Sequence, residues 1–280
     1  MTDRRLTPAT DRIALDTLRG TVQRPAYTPG RPGRLSVPVA DLCRAPDDTR
    51  DRQVNFGADL TIIEERSGWA FVQAAADGYC GWLRSDQVTQ DLPPITHHVS
   101  APGTHAYPEA DLKTPELMLL SLGARLSVVA TQGRFARLAQ GGFVPLQHIS
   151  QTPATDPALV AESLVGTPYL WGGNSRSGID CSGLVQGALR ACAIPCPGDS
   201  DMQEKAFPAS DAPIQRGDLF FWKGHVAMAL DDQRMIHANG HSMSVLIEPI
   251  TVALDRIEAE YPGTYRGVHR PDLTATRPFP

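Results

Sequence analysis

The sequence predicts an α+β protein in which two small β-barrels precede a domain with one helix packed on an antiparallel sheet. Short strand-like segments, separated by Gly, Asp and Ser turns, follow one another before residue 150. One of them is repeated, because residues 123–129 (Gly-Ala-Arg-Leu-Ser-Val-Val) resemble residues 57–63 (Gly-Ala-Asp-Leu-Thr-Ile-Ile). A helical pattern that begins at Cys181 is followed by several further strands. Segregated helices and strands of this kind are typical of an α+β fold.

Composition narrows the classes of function. A chain of 280 residues suits two or three domains, and 41% hydrophobic with 20% charged residues is ordinary for a soluble protein. A net charge of −5 without a basic stripe argues against a nucleic-acid partner. The apolar runs at 117–120 and 226–230 are too short to cross a bilayer, so no membrane partner is expected.

The cysteines and the N-terminus predict a cytoplasmic protein. Five cysteines without a repeated spacing fit neither a disulfide framework nor a zinc site, and a reducing compartment suits them better. The first residues lack the apolar core of a secretory signal. We expect neither a metal nor a cofactor.

The chain divides by pattern into four parts. Residues 1–35 carry seven arginines and three aspartates and read as a polar arm. Residues 36–91 form the first barrel, with strands near 37–39, 60–63, 69–72 and 81–83. Residues 92–153 form the second, which lacks the tryptophans of the first and is expected to be a spacer or brace. Residues 154–280 form the last domain.

In the last domain helices and strands are predicted from periodicity and turn residues. The predicted helices are 158–165, capped by Thr155 or Asp156, a helix that starts near Cys181, and 252–259. The predicted strands are 217–222, 225–230, 235–238, 244–248 and 265–269.

Cys181 stands where a reactive thiol is expected. Apolar residues at 184, 185, 188, 189 and 192 form one helical stripe, and Asp180 before them is a plausible N-cap. A thiol in the first turn meets the positive end of the helix dipole, which predicts a lowered pKa and a nucleophile. A buried, inert cysteine is the alternative, and the flanking glycines and downstream histidines favour the nucleophile.

Two histidines are candidates to serve this thiol. His225 begins a strand on the same face as Ala227 and Ala229, whose small size leaves room for the Cys181 helix. His237 lies on the following strand, where it can sit beside His225 and hold its tautomer. Alone, each is more ordinarily a core or surface histidine, and His241 remains a substitute for His237. A metal site made of Cys181, His225 and His237 lacks a fourth ligand of suitable spacing.

These motifs together resemble one family. Tyr169-x-Trp-Gly-Gly, the hexapeptide 180–185 (Asp-Cys-Ser-Gly-Leu-Val), Gly217-Asp-Leu, His225-Val-Ala and His237-Ala are similar, in order and spacing, to the NlpC family of cell-wall cysteine peptidases. The resemblance implies a papain-like core that hydrolyses peptidoglycan peptides, commonly between γ-D-glutamate and a diamino acid. It implies that Cys181 is the nucleophile, His225 the general base and acid, and His237 the residue that orients His225. It also gives Tyr169 a role beside the thiol; packing on the Gly172-Gly173 turn is the equal alternative.

The barrels resemble bacterial SH3-like domains through Gly68-Trp69, Asp77-Gly-Tyr79 and Gly81-Trp82-Leu83. Two such barrels before an NlpC core look like the dipeptidyl-peptidase subgroup, which acts on free murein peptides. The resemblance implies that Asp199 and Ser200 bind the free amine of an N-terminal L-alanine, although Gly198 stands where the subgroup often has arginine. The further substrate contacts that it implies are Ser182, Trp171, Tyr79 and Asp51.

The leading hypothesis is a peptidase that cleaves the γ-D-glutamyl–diamino acid bond of free murein peptides with an N-terminal L-Ala, in peptidoglycan recycling. Two alternatives remain open. One is a protein that binds cell-wall peptides without catalysis, and the other is an acyltransferase or amidase on the same papain-like core.

Overall fold

The computed structural model describes residues 3–274. The chain divides into two compact units. The first runs to residue 151 without residues 100–102, and the second comprises residues 100–102 and the chain from residue 152. No helix in the described part is long and apolar enough to span a membrane.

The first unit is built from strands, with short 3₁₀ turns at Arg4–Leu6, Asp16–Leu18, Ser85–Gln87 and Leu146–His148. Its strands up to residue 89 are β1 Ile13–Leu15, β2 Ala26–Thr28, β3 Arg31–Leu35, β4 Val39–Cys43, β5 Arg50–Asn55, β6 Asp59–Arg66, β7 Trp69–Ala74, β8 Cys80–Arg84 and β9 Val88–Thr89. Those after residue 89 are β10 His97–Val99, β11 Gly103–Ala106, β12 Met118–Ser121, β13 Arg125–Leu126, β14 Val128–Gln132, β15 Phe135–Leu138, β16 Phe143–Pro145 and β17 Ile149–Ser150.

Strands β3 to β9 form one seven-stranded sheet in the order β5-β4-β8-β7-β6-β3-β9. Apolar side chains of β7 and β8 meet across it, with the rings of Phe71 and Trp82 5.3 Å apart. They pack with Cys43, Ile63 and Cys80 in one buried cluster. The aromatic residues that predict this sheet therefore form part of its core.

The predicted polar arm is wrong at its C-terminal end. Residues 31–35 form β3, which pairs with both β6 and β9 inside the sheet. Leu35 is buried, and Arg34 bonds to Asp59 at 2.8 Å. A strand that contains Pro32 and Gly33 between two arginines has no apolar alternation, so its pattern does not predict it.

The second half of the first unit repeats the strand topology of the first half. β3 pairs with β6 and β9, and β10 pairs in the same way with β13 and β17. Hairpins β4–β5 and β11–β12 follow these opening strands, and the meanders β6–β7–β8 and β14–β15–β16 come next. Gly57 and Gly123, the first residues of the two similar segments, both have positive φ, +77° and +78°. The internal repeat seen in the sequence is thus a repeat of structure.

The second unit alternates helices with a five-stranded sheet. Its elements are α1 Pro157–Glu162, β18 Asn174–Ser175, β19 Gly178–Ile179, α2 Cys181–Ala191, α3 Ser200–Ala206, β20 Leu219–Trp222, β21 His225–Ala229, β22 Arg234–Asn239, β23 Ser244–Pro249, α4 Ile250–Glu260 and β24 Tyr265–His269. The sheet is antiparallel, in the order β23-β22-β21-β20-β24. The predicted helices and strands are present; α3 is an addition, in a segment for which neither a helix nor a strand is predicted.

Helices α2 and α4 cover this sheet. The apolar stripe of α2, including Leu184 and Leu189, is fully buried, and the helix contacts β21 and β22. Ile250, Ala253 and Ile257 of α4 pack instead in one cluster with Ala227 and Ala229 of β21. The expectation that the small face of β21 receives the Cys181 helix is therefore wrong, because α4 occupies that face.

Candidate active site

The start of α2 is held by one aspartate. Oδ1 of Asp180 accepts a hydrogen bond from the Gly183 amide at 2.7 Å, which caps the helix, and Oδ2 accepts from the Gly172 amide at 2.9 Å. The side chain thus joins the Gly-Gly turn to the helix N-terminus. The prediction that Asp180 is the N-cap and Cys181 the first helical residue is confirmed.

The sulfur of Cys181 is buried at this helix start. Burial raises the pKa of the thiol to about 12, and the charge of Asp180 adds to this rise. Hydrogen bonds from the backbone amides of Val226, Ser182 and Cys181 itself act against it. The expected lowering of the Cys181 pKa is wrong, because the desolvation of the thiolate outweighs the stabilisation by the helix N-terminus. The raised pKa therefore favours the protonated thiol at neutral pH.

His225, the predicted base, lies at the end of β21 that is near the start of α2. It is the first residue of β21, directly before Val226, whose amide bonds the Cys181 sulfur. Its ring lies 5.4 Å from that of Trp222, its partner across the β20–β21 hairpin. Burial, followed by the neighbouring His237, lowers the pKa of His225, which favours the neutral imidazole. A neutral imidazole can accept a proton from the thiol.

His237 lies behind His225 and is fully buried. Its Nδ1 lies 2.8 Å from Nε2 of His225. On its other side, Nε2 lies 2.6 Å from Oε1 of Glu248 and 2.9 Å from the amide nitrogen of Asn239. Nε2 of His225 is therefore engaged, and Nδ1 is the ring nitrogen left for Cys181. The two rings lie side by side, as the sequence predicts, and their roles as base and orienting residue remain predictions.

Tyr169 lies on the segment before the Gly-Gly turn. Its backbone amide bonds to Met243, and it forms a bridge with Ile179, directly before the Asp180 cap. Burial raises the pKa of the phenol, and negative charge on Cys181 or Asp180 raises it further. The phenol therefore stays protonated and can donate a hydrogen bond near the sulfur. Its catalytic role remains a prediction.

The remaining predicted contacts of this unit lie around α2 and α3. Asp199 is the N-cap position of α3 and Ser200 its first residue. The side-chain amide of Gln203 on α3 donates to the carbonyl of Ser182 at 3.0 Å, which ties this helix to the first turn of α2. The Ser182 hydroxyl donates to Asp180 at 3.0 Å, so it takes part in the cap. Trp171 is 68% exposed.

Tyr79 and Asp51 lie in the first compact unit and have partners there. Tyr79 is buried, with the guanidinium of Arg52 5.0 Å from its ring centre. Both carboxylate oxygens of Asp51 accept hydrogen bonds from Arg4, at 2.6 and 2.9 Å. Their role as substrate contacts remains a prediction.

Sequence reasoning misses four residues around the histidines: Glu248, Arg256, Asn239 and Trp222. Glu248 is a carboxylate on the strand next to that of His237, and Nη2 of Arg256 on α4 lies 2.5 Å from its Oε1. A signal exists for Glu248, since it is an acidic residue in the otherwise apolar run 245–248 (Val-Leu-Ile-Glu). Asn239 lies two residues after His237, on the same side of the strand. Nothing comparable marks Arg256.

We expect Gly183→Ala to disrupt the helix start that presents Cys181. A Cβ at this position meets the carbonyl oxygen of Gly173 and Oδ1 of Asn174 at distances no Cβ adopts, and lies 3.1 Å from Oδ1 of Asp180. Overpacking of this kind costs about 1–3 kcal/mol. Thermal unfolding should show a lowered midpoint, together with slower alkylation of the thiol.

Gly187→Ala is the matched control on the same helix. A Cβ there meets nothing within 4 Å, and replacing a helical glycine by alanine stabilises by about 1 kcal/mol. Equal unfolding midpoints for the two variants would contradict the close packing around Gly183.

Comparison with known proteins finds two family matches in this chain. Residues 166–255 match the NlpC/P60 family, and residues 42–88 match the family described as the bacterial dipeptidyl-peptidase Sh3 domain. The gamma-D-glutamyl-L-lysine dipeptidyl-peptidase of Bacillus cereus is 29% identical over 235 residues, which are 71% of this chain and 70% of that protein. The Bacillus subtilis protein of the same name is 28% identical over 232 residues, 71% of this chain and 76% of the relative.

A solved structure supports the fold. The crystal structure of an NlpC/P60 family protein from Bacillus cereus superposes with a TM-score of 0.73 and 23% identity, over 86% of this chain and 99% of the other. The chain is therefore a cysteine peptidase that combines an NlpC/P60 domain with a bacterial SH3 domain of the dipeptidyl-peptidase type.

Proposed function

We propose that this peptidase hydrolyses the bond between γ-D-glutamate and a diamino acid in free murein peptides that begin with L-alanine. The names of the Bacillus relatives support this class of substrate. The observation that carries the proposal is the hydrogen bond between Nε2 of His225 and Nδ1 of His237, beside a cysteine at a helix N-terminus. It equips the site for acyl transfer through a thioester.

The proposed reaction begins with the thiol proton. Nδ1 of His225 takes the proton as the sulfur of Cys181 attacks the γ-carbonyl carbon of D-glutamate. The same imidazole then gives the proton to the amine of the diamino acid as the C–N bond breaks, which leaves a thioester on Cys181. A water molecule, deprotonated by His225, hydrolyses the thioester and restores the thiol.

The oxyanion that forms on attack needs fixed donors in a desolvated site. The amides of Cys181 and Ser182 are suitable, because both residues lie in the first turn of α2, where backbone amides have no acceptor within the helix. The Tyr169 phenol is a further donor, since its raised pKa keeps it protonated at neutral pH. We propose that these groups share the developing charge.

We propose that Asp199 holds the ammonium group of the N-terminal L-alanine, with Ser200 beside it. Asp199 is the residue directly before Ser200, at the N-cap position of α3. Gln203 fixes α3 to the carbonyls of Ser182 and Pro197, both at 3.0 Å, which keeps the carboxylate at a constant place relative to Cys181. A carboxylate here favours a free amine and disfavours a peptide that continues beyond it.

We place this reaction in the cytoplasm, as a step of peptidoglycan recycling. All five cysteines are buried thiols outside any disulfide, a state suited to a reducing compartment. Substrates that have already been released as short peptides also match a site that grips a free amine.

We also propose that residues 92–153 are a second SH3-like domain, although the family match covers only residues 42–88. The support is the repeated topology, including a register irregularity at equivalent places, between Ile62 and Glu64 in β6 and between Val128 and Ala130 in β14. Phe56, just after β5, packs in the core of this second half, so the two halves share apolar contacts.

Mass spectrometry of the protein incubated with L-Ala-γ-D-Glu-diaminopimelate and, separately, with intact sacculi tests the substrate. We expect the dipeptide L-Ala-γ-D-Glu and free diaminopimelate from the tripeptide, and little release from sacculi. Adding an amine acceptor separates hydrolysis from acyl transfer, since a transferase would form a new amide. Release from sacculi at the rate of the free peptide would reject the proposed preference.

A further inference from the structure

We propose that Glu248 and Arg256 are positioning residues that set the tautomers of His237 and His225. In the tautomer that they favour, Nδ1 of His225 carries no hydrogen, so its lone pair can accept the proton of Cys181. The inference deepens the proposed function, because it rests on His225 as the base for Cys181. It adds Glu248 and Arg256 to the residues that support catalysis. Hydrogen bonds connect them to His225 from β21 across β22 and β23 to α4.

The ion pair between Arg256 and Glu248, at the end of this hydrogen-bond chain away from His225, determines the charge state of Glu248. Nη2 of Arg256 lies 2.5 Å from Oε1 of Glu248, and the side chains are 18% and 13% exposed. An arginine remains charged at every pH that a protein tolerates. The hydrogen bond from His237 lowers the pKa of Glu248 against the opposing effect of burial, and the charge of Arg256 lowers it further. Glu248 is therefore a carboxylate, and a carboxylate only accepts hydrogen bonds.

This carboxylate decides which nitrogen of His237 carries hydrogen. Nε2 lies 2.6 Å from Oε1 of Glu248, where a lone pair would face the anionic oxygen and be repelled. Asn239 turns its amide nitrogen to the same ring nitrogen, 2.9 Å away, because its Oδ1 accepts from the Ser242 amide at 2.8 Å. An amide N–H would favour a lone pair on Nε2, but the hydrogen bond to the carboxylate is shorter, and a bond to a charged acceptor is about twice as strong as a neutral one. Nε2 of His237 therefore donates to Glu248, and in the neutral ring Nδ1 is the acceptor.

The consequence reaches the reacting pair. Nδ1 of His237, as an acceptor, requires a hydrogen on Nε2 of His225, 2.8 Å away. The neutral ring of His225 then has its lone pair on Nδ1, the nitrogen that takes the thiol proton. If Glu248 did not hold the outer ring, His237 could present Nδ1–H, and His225 would then carry its hydrogen on Nδ1 and be unable to accept a proton there.

Two charge-removing substitutions test this assignment, and both act on the pKa of His225 with opposite signs. The charge of Glu248 raises that pKa and the charge of Arg256 lowers it. Besides His237, the charged groups that act on the His225 ring are Arg256 from α4 and Glu248 from β23. Asn239 and Trp222 are uncharged neighbours of the two rings. Glu248→Gln should therefore lower the pKa of His225, and Arg256→Met should raise it.

Activity should change in kcat. We expect Glu248→Gln to reduce kcat for the murein tripeptide on the order of 10²-fold with KM changed less than about twofold, since an outer partner of a catalytic histidine acts on its orientation and tautomer. The matched control is Glu258→Gln on α4, an exposed glutamate that accepts from the Gly263 amide, which should retain full activity.

Two readouts need no peptide and separate this inference from the proposed substrate. The ¹⁵N chemical shifts of the imidazoles report the tautomers, and we expect Nε2–H on both rings in the wild type and Nδ1–H populated in Glu248→Gln. The pH dependence of Cys181 alkylation by iodoacetamide reports the pKa of His225. The pH at which the alkylation rate changes should move in opposite directions in the two variants. Unchanged shifts and pH profiles in both variants, matching Glu258→Gln, would overturn the inference even if the tripeptide is cleaved.

Failure of the proposed substrate has a different signature. If the tripeptide is not cleaved but the imidazole shifts and alkylation profiles change as expected, the positioning role stands and the substrate is wrong. If Glu248→Gln does not fold, Arg256→Met decides, because it removes only the outer charge. A lowered or unchanged pKa of His225 in Arg256→Met would then contradict the inference.

Discussion

Cys181→Ala should abolish cleavage of the murein tripeptide while leaving the fold intact. Alanine keeps the first helical position and cannot form the thioester, so turnover should fall by at least about 10⁴-fold, the scale seen when a catalytic nucleophile is removed. The Asp180 side chain and its bonds to Gly183 and Gly172 do not involve the sulfur, so the cap should persist. Rates from chromatography of the released dipeptide, with circular dichroism for the fold, measure both effects.

A second cysteine on the same helix region provides the control. Cys192 is the C-cap residue of α2, buried, with a pKa raised to about 11 by burial. Cys192→Ala removes a buried thiol of similar environment at the other end of the helix and should retain activity near wild type. A Cys181→Ala protein that keeps wild-type turnover would remove this residue from the mechanism.

Much of the catalytic unit can be predicted from the sequence because its signals are local. The Asp180 cap, the apolar stripe of α2 and the two histidine strands each follow from residues within one element. Helix α3 is missed because its N-terminal neighbours are Pro197 and Gly198, which read as a loop, and because seven residues carry little periodicity.

The missed parts of the site depend on pairing between distant elements. The hydrogen bond from His237 to Glu248 requires the register of β22 against β23, in which Met235 lies opposite Glu248. Arg256 reaches Glu248 only because α4 folds back over the sheet. The sequence predicts the pKa of Cys181 in the wrong direction for a related reason. The helix terminus is visible in the sequence, while the burial that outweighs it is a property of the packed fold.

Strands of the barrels show the same limit. Central strands with aromatic residues, such as β7, are visible, whereas β3 is joined to the sheet by pairing and by Arg34, without an apolar pattern. The prediction that residues 31–35 belong to a polar arm therefore rests on composition alone. A strand of this kind is detectable only once its partners β6 and β9 are placed.

Acetylation of the substrate's alanine should reduce turnover by about 10²-fold, because Asp199 then faces a neutral amide in place of an ammonium. Charge-assisted hydrogen bonds contribute about 1.5–3 kcal/mol, which corresponds to roughly 10- to 150-fold in rate. Asp199→Asn should cause a similar loss on the free peptide and leave the fold unchanged, since asparagine suits an N-cap position as well as aspartate. The decisive quantity is the ratio of kcat/KM for free and acetylated tripeptide in each variant.

That ratio should be large in the wild type and fall close to one in Asp199→Asn, because only the pairing of carboxylate and ammonium distinguishes the two peptides. Asp201→Asn is the matched control: Asp201 lies two residues later in α3 and pairs with Lys205 at 3.4 Å on the exposed side of the helix. It should keep the wild-type ratio. Equal rates for free and acetylated peptide in the wild type would reject an amine-binding role for Asp199, and a ratio lowered equally by both variants would assign the preference to the general charge of α3.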